Sequence, residues 1–249
     1  MELGAGSHKG MVRKRNEDCF YIPKNDDSRR DDGLKRVLLV IADGMGGHNA
    51  GEVASSIAVD TVVQRMNNIT LDAENIQDEI VNAISLANRN ILEKSHQHEQ
   101  YSGMGTTITM AVVLENVAYI GHMGDCRAYL IRDGEIKQLT DDHSLVEELV
   151  KNGSITEEEA VNHPQKHVIT RALGIDEQIQ VDIIVQELSC EDILILCTDG
   201  LINHISVEEL LELAVRYDNM QRLVDTLIET VNARGGYDNV TVIAAKLTN

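Results

Sequence analysis

Tryptophan is absent from this 249-residue chain, and phenylalanine occurs once. Six tyrosines bring the aromatic content to only 3%. That is too few rings for the stacking surface that single-stranded nucleic acid needs, and it leaves the core to Leu, Ile, Val, Ala and Met. Positive charge is also short: 22 Lys and Arg stand against 41 Asp and Glu, a net charge of −19. Such a field repels phosphate backbones, so no nucleic-acid partner is expected. It would equally repel a phosphorylated substrate unless bound cations reversed its sign locally. A surplus of carboxylates is also an ordinary means of staying soluble, so composition alone does not choose between these meanings.

The chain has only two prolines and four cysteines. Cys19, Cys126, Cys190 and Cys197 make no C-x-x-C pair, which argues against a structural zinc site. Scattered thiols in a chain of this length fit a reducing, cytoplasmic compartment. The N-terminus has no apolar signal segment. The longest apolar run, Val37 to Ala42, is far too short to cross a bilayer, so no membrane role is expected.

What is present is ordinary for a soluble globular protein, with 43% apolar and 25% charged residues. Val37–Ala42 reads as a buried strand ending at Asp43-Gly44. Thr106–Glu115 and Val117–His122 read as paired strands turning at Asn116. Arg127–Arg132 and Glu135–Leu139 flank Asp133-Gly134, a strong hairpin signal. Ile193–Cys197 and Val240–Leu247 complete the strands. Helical periodicity covers Gly51–Met66, Ala73–Lys94, Ser206–Tyr217 and Met220–Ala233, and Ser206 with Glu209 has the spacing of a capping box. The polar stretch Asn25–Gly33 reads as a hairpin loop, and 144–170 as a mostly helical excursion. Hairpins with helices arriving in pairs predict an α+β fold of antiparallel sheets whose outer faces are covered by helices. No repeat or linker divides the chain, so residues 1–249 are expected to form a single domain.

Acidic residues recur where these strands end: Asp43-Gly44, Gly124-Asp125, Asp199-Gly200 and Asp238-Asn239, with Glu17-Asp18 shortly after Arg13. Each alone is an ordinary turn. Together they suit Mg²⁺ or Mn²⁺, which take carboxylate, carbonyl and water oxygens. Strand ends hold such groups on rigid backbone with one side open, and a cation pair sharing a carboxylate activates water and clamps a phosphoryl group.

Eight segments, in order, resemble the motifs of the metal-dependent protein phosphatases, the type 2C or PPM family in its compact bacterial form. They are Val12–Asp18, Ala42–Glu52, Gly103–Thr107, Gly121–Arg127, Leu139–Ser144, Ile169–Gly174, Thr198–Leu201 and Asp238–Thr241. The resemblance spans nearly the whole chain. It implies a central antiparallel β-sandwich flanked by pairs of α-helices, a four-layer αββα arrangement. It also implies that Asp43 bridges two core Mn²⁺ or Mg²⁺ ions, that Asp199 and Asp238 hold the first, and that Glu17 and the Gly44 carbonyl serve the second, with Asp18 binding it directly or through water. Asp125, with Asp199, would hold a third. Arg13 would bind the substrate phosphate, and His48 would protonate the leaving group. The segment from Ser144 to about His167 resembles a flap beside the site.

The implied reaction is hydrolysis of phosphoserine and phosphothreonine in proteins by direct attack of a metal-bridging hydroxide. The expected partners are phosphorylated proteins and a cognate bacterial serine/threonine kinase, and the expected state is a cytoplasmic monomer. A small-molecule phosphoester hydrolase uses the same groups, and a non-catalytic phosphoprotein-binding module would keep the fold. Two departures stand out: Cys126 replaces the usual Ser after Asp125, and Cys19 replaces a common Ala. Cys126 is either an oxidation-sensitive neighbour of Asp125 or simply a small buried side chain.

Overall fold

The structure, a computed structural model, describes residues 1–23, 36–46 and 50–248. The Asn25–Gly33 loop lies outside them. In chain order the strands are β1 Glu2–His8, β2 Asp18–Tyr21, β3 Arg36–Met45, β4 Gly105–Thr106, β5 Ile108–Leu114, β6 Val117–Met123, β7 Arg127–Arg132, β8 Glu135–Gln138, β9 Asp182–Glu187, β10 Ile193–Cys197 and β11 Val240–Lys246. The helices are α1 Ala50–Asn67, α2 Ile76–Gln97, α3 Leu145–Lys151, α4 Glu157–Val161, α5 Asp199–Ile202, α6 Val207–Arg216 and α7 Met220–Ala233. One sheet runs β1-β11-β10-β7-β8 and the other β2-β3-β5-β6-β9, with β4 joined to β3. The pairings are antiparallel throughout.

Burial explains why β3 reads as one unbroken apolar run. Leu39 and Ile41 face the other sheet, packed with Leu194, Leu196 and Ile243. Leu38, Val40 and Ala42 point the other way, against Ala54, Ala58 and Val62 of α1 and Ile80 and Ile84 of α2. Both faces of the strand are dry, so alternation of apolar with polar residues disappears. The same division runs through β10: Ile193, Ile195 and Cys197 meet Leu223, Val224 and Leu227 of α7, while Leu194 and Leu196 face inward. Three apolar interfaces thus separate four layers, helices, sheet, sheet, helices, as the α+β reading expects.

Three strands have no counterpart in the sequence pattern. β1, β2 and β9 lack fully apolar faces; β2 is partly exposed along its whole length. The Asp133-Gly134 hairpin is present, with Asp133 at φ 52° and Gly134 at φ 78°, the left-handed geometry of a tight two-residue turn. Two local readings need correction. Asp43 and Gly44 lie inside β3, because Asp43 pairs with Asp18 and Gly44 with Thr106. At α6, Ser206 caps the Glu209 N–H, but the Glu209 carboxylate is drawn to Arg234 at 2.6 Å. The reciprocal capping box occurs instead at Thr156 and Glu159 of α4.

Candidate active site

The acidic segments gather at one end of the sandwich because consecutive strands deliver them there. Pairing of β2 with β3 sets Asp18 opposite Asp43. Asp199 follows β10 closely, and Asp238 precedes neighbouring β11. Asp125 follows β6 of the other sheet. Arg13 and Glu17 lie on the connection from β1 to β2, which passes from one sheet to the other.

That connection is fastened by Asn239, a residue whose role the sequence did not reveal. Its Nδ2 donates to the carbonyls of Lys9 (2.9 Å) and Arg15 (2.8 Å), and its Oδ1 accepts from the Glu17 N–H at 2.8 Å. Asp18 is held similarly: its Oδ2 accepts from Thr241 Oγ1 at 2.6 Å and Thr198 Oγ1 at 3.0 Å. Around Asp43, the backbone N–H donates to Thr107 Oγ1 (3.0 Å), and the carbonyl accepts from Thr106 Oγ1 (2.8 Å). The signal for these supports was their place beside acidic residues within the same motifs. Glycine is needed at 44 for close approach, since a methyl there would strike the Gly51 carbonyl.

The electrostatics are those of a site wanting cations. Asp43, Asp18, Asp125 and Asp199 keep partial exposure, yet all have carboxyl pKa values raised, first by burial. For Asp43 the charges of Asp18, Asp199, Asp125 and Asp238 add to it, holding the carboxyl well above its ordinary value. Asp18 and Asp125 are each pushed to about 7 by burial. Burial also raises Glu17, against the opposing pull of Arg13. Asp18 Oδ1 and Asp125 Oδ1 are buried without a hydrogen-bond partner. A buried acceptor left bare is costly, and hard oxygen donors with mutual repulsion fit a hard divalent cation. Among the described residues, no three His, Cys, Asp or Glu side chains form a ready-made metal cage. Hydrated Mg²⁺ keeps several waters between itself and the protein, so carboxylates spaced too widely for a closed cage still fit such an ion.

Arg13 Nη2 lies 2.8 Å from Asp238 Oδ2 and remains about half exposed. His48 lies outside the described residues. Beside Asp125 and Asp199 a cleft of about 330 Å³ opens toward Val146, Val150, Val161 and Lys166 of the 144–170 excursion. Cys126 is fully buried, donates to or accepts from Thr107 Oγ1 at 3.0 Å, and has its thiol pushed well above the ordinary value by burial. It is therefore a protonated packing group. Cys126 and Arg132 have the Cys-x5-Arg spacing of cysteine-dependent phosphatases, but Cys126 immediately precedes extended β7, Arg132 ends it, and Arg132 is paired with Asp192. They form no phosphate loop.

The family profile of protein phosphatase 2C matches residues 21–247. The chain belongs to this family. Protein phosphatase PhpP of Streptococcus pneumoniae is 39% identical over 245 residues, covering 97% of this chain and 96% of that one. The Streptococcus agalactiae serine/threonine phosphatase structure superposes with a TM-score of 0.91 at 34% identity, covering 99% of each chain. The catalytic domain of the serine/threonine protein phosphatase PstP, in complex with two manganese ions, gives 0.86 at 33% identity, covering 100% of this chain and 98% of that one. This phosphatase 2C is a metal-dependent enzyme that removes phosphate from serine and threonine in proteins.

Proposed function

We propose that the carboxylate cluster holds two divalent cations, Mn²⁺ or Mg²⁺, with Asp43 shared between them. Asp199 and Asp238 would serve one, Glu17, Asp18 and the Gly44 carbonyl the other, and Asp125 with Asp199 a third, weaker ion. The two manganese ions bound by PstP support Mn²⁺ as the first candidate. Bound cations supply activated water and neutralise phosphoryl oxygens. The chain's own groups do the rest. Thr198 and Thr241 aim Asp18, Asn239 fixes the loop carrying Arg13 and Glu17, and Arg13 offers its guanidinium to phosphate. His48 is assigned the leaving-group proton on sequence alone. Residues 144–170 are proposed as a flap over the cleft, on a single-domain, monomeric enzyme opposing a serine/threonine kinase.

The observation that carries this reading is the pair of bare buried oxygens, Asp18 Oδ1 and Asp125 Oδ1, in a cluster whose charges raise one another's pKa. The test is phosphate release from a phosphothreonine peptide with Mn²⁺, with chelator, and in Asp43→Asn. Release that needs Mn²⁺ and is lost in the variant supports it; Mn²⁺-independent release, or full activity in Asp43→Asn, overturns it.

A further inference from the structure

Two motifs, Leu139–Ser144 and Ile169–Gly174, supply none of the groups so far given a role at the reacting centre. They meet at His143, which is nearly fully buried. The His143 N–H donates to the Gly124 carbonyl at 2.7 Å, and the Gly124 N–H donates back to His143 Nδ1 at 3.1 Å. An amide N–H can only donate, so Nδ1 is bare and the ring proton sits on Nε2. That proton goes to Asp182 Oδ2 at 3.0 Å, and Asp182 Oδ1 also takes Arg171 Nη1 at 3.3 Å. The His143 carbonyl accepts from the Thr170 N–H at 2.8 Å, and the Val168 carbonyl accepts from the Leu145 N–H at 2.9 Å. His143 therefore joins both roots of the 144–170 excursion to the residue just before Asp125.

The adjoining residues grip the other side of the same loop. Asp142 holds Arg127, two residues after Asp125, through Nε (2.8 Å) and Nη2 (2.7 Å). Thr140 Oγ1 accepts from the Ala128 N–H at 3.0 Å, and the Asp141 carbonyl takes the Nε2 proton of His122 at 3.0 Å. His122 lies against His143 with ring centroids 4.9 Å apart; burial, then the neighbouring imidazole, lowers its pKa to about 4, so it stays neutral. Gly124 has φ +117°, and a side chain there would press on Thr107, so only glycine fits where the loop packs against that residue. Asp125 makes no side-chain hydrogen bond through its buried Oδ1. The bracket grips the backbone on one side of Asp125, and buried Cys126 anchors it on the other.

We propose that His143 is a positioning residue that holds Asp125 in place relative to Asp199 and Asp43 through the Gly124 amide, and ties that placement to the roots of the 144–170 excursion. The proposal rests on the assignment of Asp125 to the weakest ion. It gives the two motifs a shared role, because a shift of the excursion is transmitted to Asp125 through a buried imidazole rather than through solvent.

The test is a double-mutant cycle between His143 and Asp125, read by calorimetric Mn²⁺ titration, by kcat/KM on a phosphothreonine peptide and by thermal unfolding. Asn at 143 keeps an acceptor at the Nδ1 position; Gln keeps a donor near Nε2 and loses that acceptor. Expected for His143→Gln are weaker binding of the last Mn²⁺ by about tenfold and a similar fall in kcat/KM, with His143→Asn within about threefold of the natural protein. In an Asp125→Ala background, His143→Gln then adds nothing further to either. Asp182→Ala, which frees the ring, gives the same effect in weaker form and serves if His143→Gln does not fold. Equal effects of His143→Gln in both backgrounds, or of Asn and Gln, overturn the proposal while leaving Asp125 its ion. An Asp125→Ala protein with unchanged Mn²⁺ titration removes the assignment of Asp125 and the proposal with it.

Discussion

Arg13 Nη2 stands 2.8 Å from Asp238 Oδ2: the cation assigned to the substrate phosphate is held by a carboxylate assigned to a metal. The hydrogen bond to Asp238 raises the Arg13 pKa further, so the guanidinium stays charged. A divalent ion at Asp238 would compete with Arg13 for that carboxylate, and loading the proposed site would then free Arg13 for phosphate. Arg13→Ala is thus expected to lower kcat/KM on a phosphopeptide by about 30- to 100-fold, the loss of one charged hydrogen bond. Its Mn²⁺ affinity is expected to equal or exceed that of the natural protein. Calorimetry alongside steady-state kinetics checks both, and weaker Mn²⁺ binding would contradict the competition.

Removing metal is expected to cost stability as well as activity. Mutual repulsion in the cluster disfavours the folded state, and an ion that binds only there stabilises it by about 2.7 kcal/mol at a hundredfold excess over Kd. For a chain of this size that is on the order of 5–10 °C. Thermal unfolding in Mn²⁺ and in chelator measures the difference, and Asp43→Asn should abolish most of it.

The pH dependence of the metal-free protein follows from Asp18 and Asp125, whose pKa values rise from 3.8 to about 7 on folding. Between those values the folded chain binds more protons than the unfolded one, so stability falls as pH rises. The contribution is fully present below about 4 and lost once pH passes about 7. In chelator the unfolding temperature should decline across this window, and Asp18→Asn, which carries no charge to bury, should flatten the decline. A metal-free protein whose stability climbs from about pH 5 to 8, with Asp18→Asn unchanged from it, would refute this account.

Asn239 makes three hydrogen bonds to the loop at residues 9–17. Asn239→Ala leaves the part-buried Glu17 N–H and the Lys9 and Arg15 carbonyls without this partner, and is expected to cost about 1–3 kcal/mol in urea unfolding. Because that loop carries Arg13 and Glu17, kcat/KM should fall in the variant even where it remains folded.

Much of this is open to a reader of the sequence. β3, β5, β6, β7, β10 and β11 announce themselves because strands buried on both faces are continuous apolar runs, and α1, α2, α6 and α7 because their period is long and regular. β1, β2 and β9 do not, because a strand with mixed burial has no pattern to detect. The acidic segments are visible as motifs, and so are Thr198, Thr241 and Asn239, but not what they hold. A hydrogen bond between residues more than two hundred positions apart, such as Thr241 to Asp18, leaves no local trace.

The sequence by itself determined the family, the α+β class, the inventory of acidic residues and the shortage of aromatic and basic side chains, because these depend on residue type, order and short-range period. Tertiary structure alone decided which carboxylate oxygens are bare, that Arg13 rests on Asp238, that Cys126 is a buried protonated thiol, and that His143 ties Gly124 to the excursion. Each of these depends on distance and burial, and those exist only once β2 has met β3 and the two sheets have closed on each other.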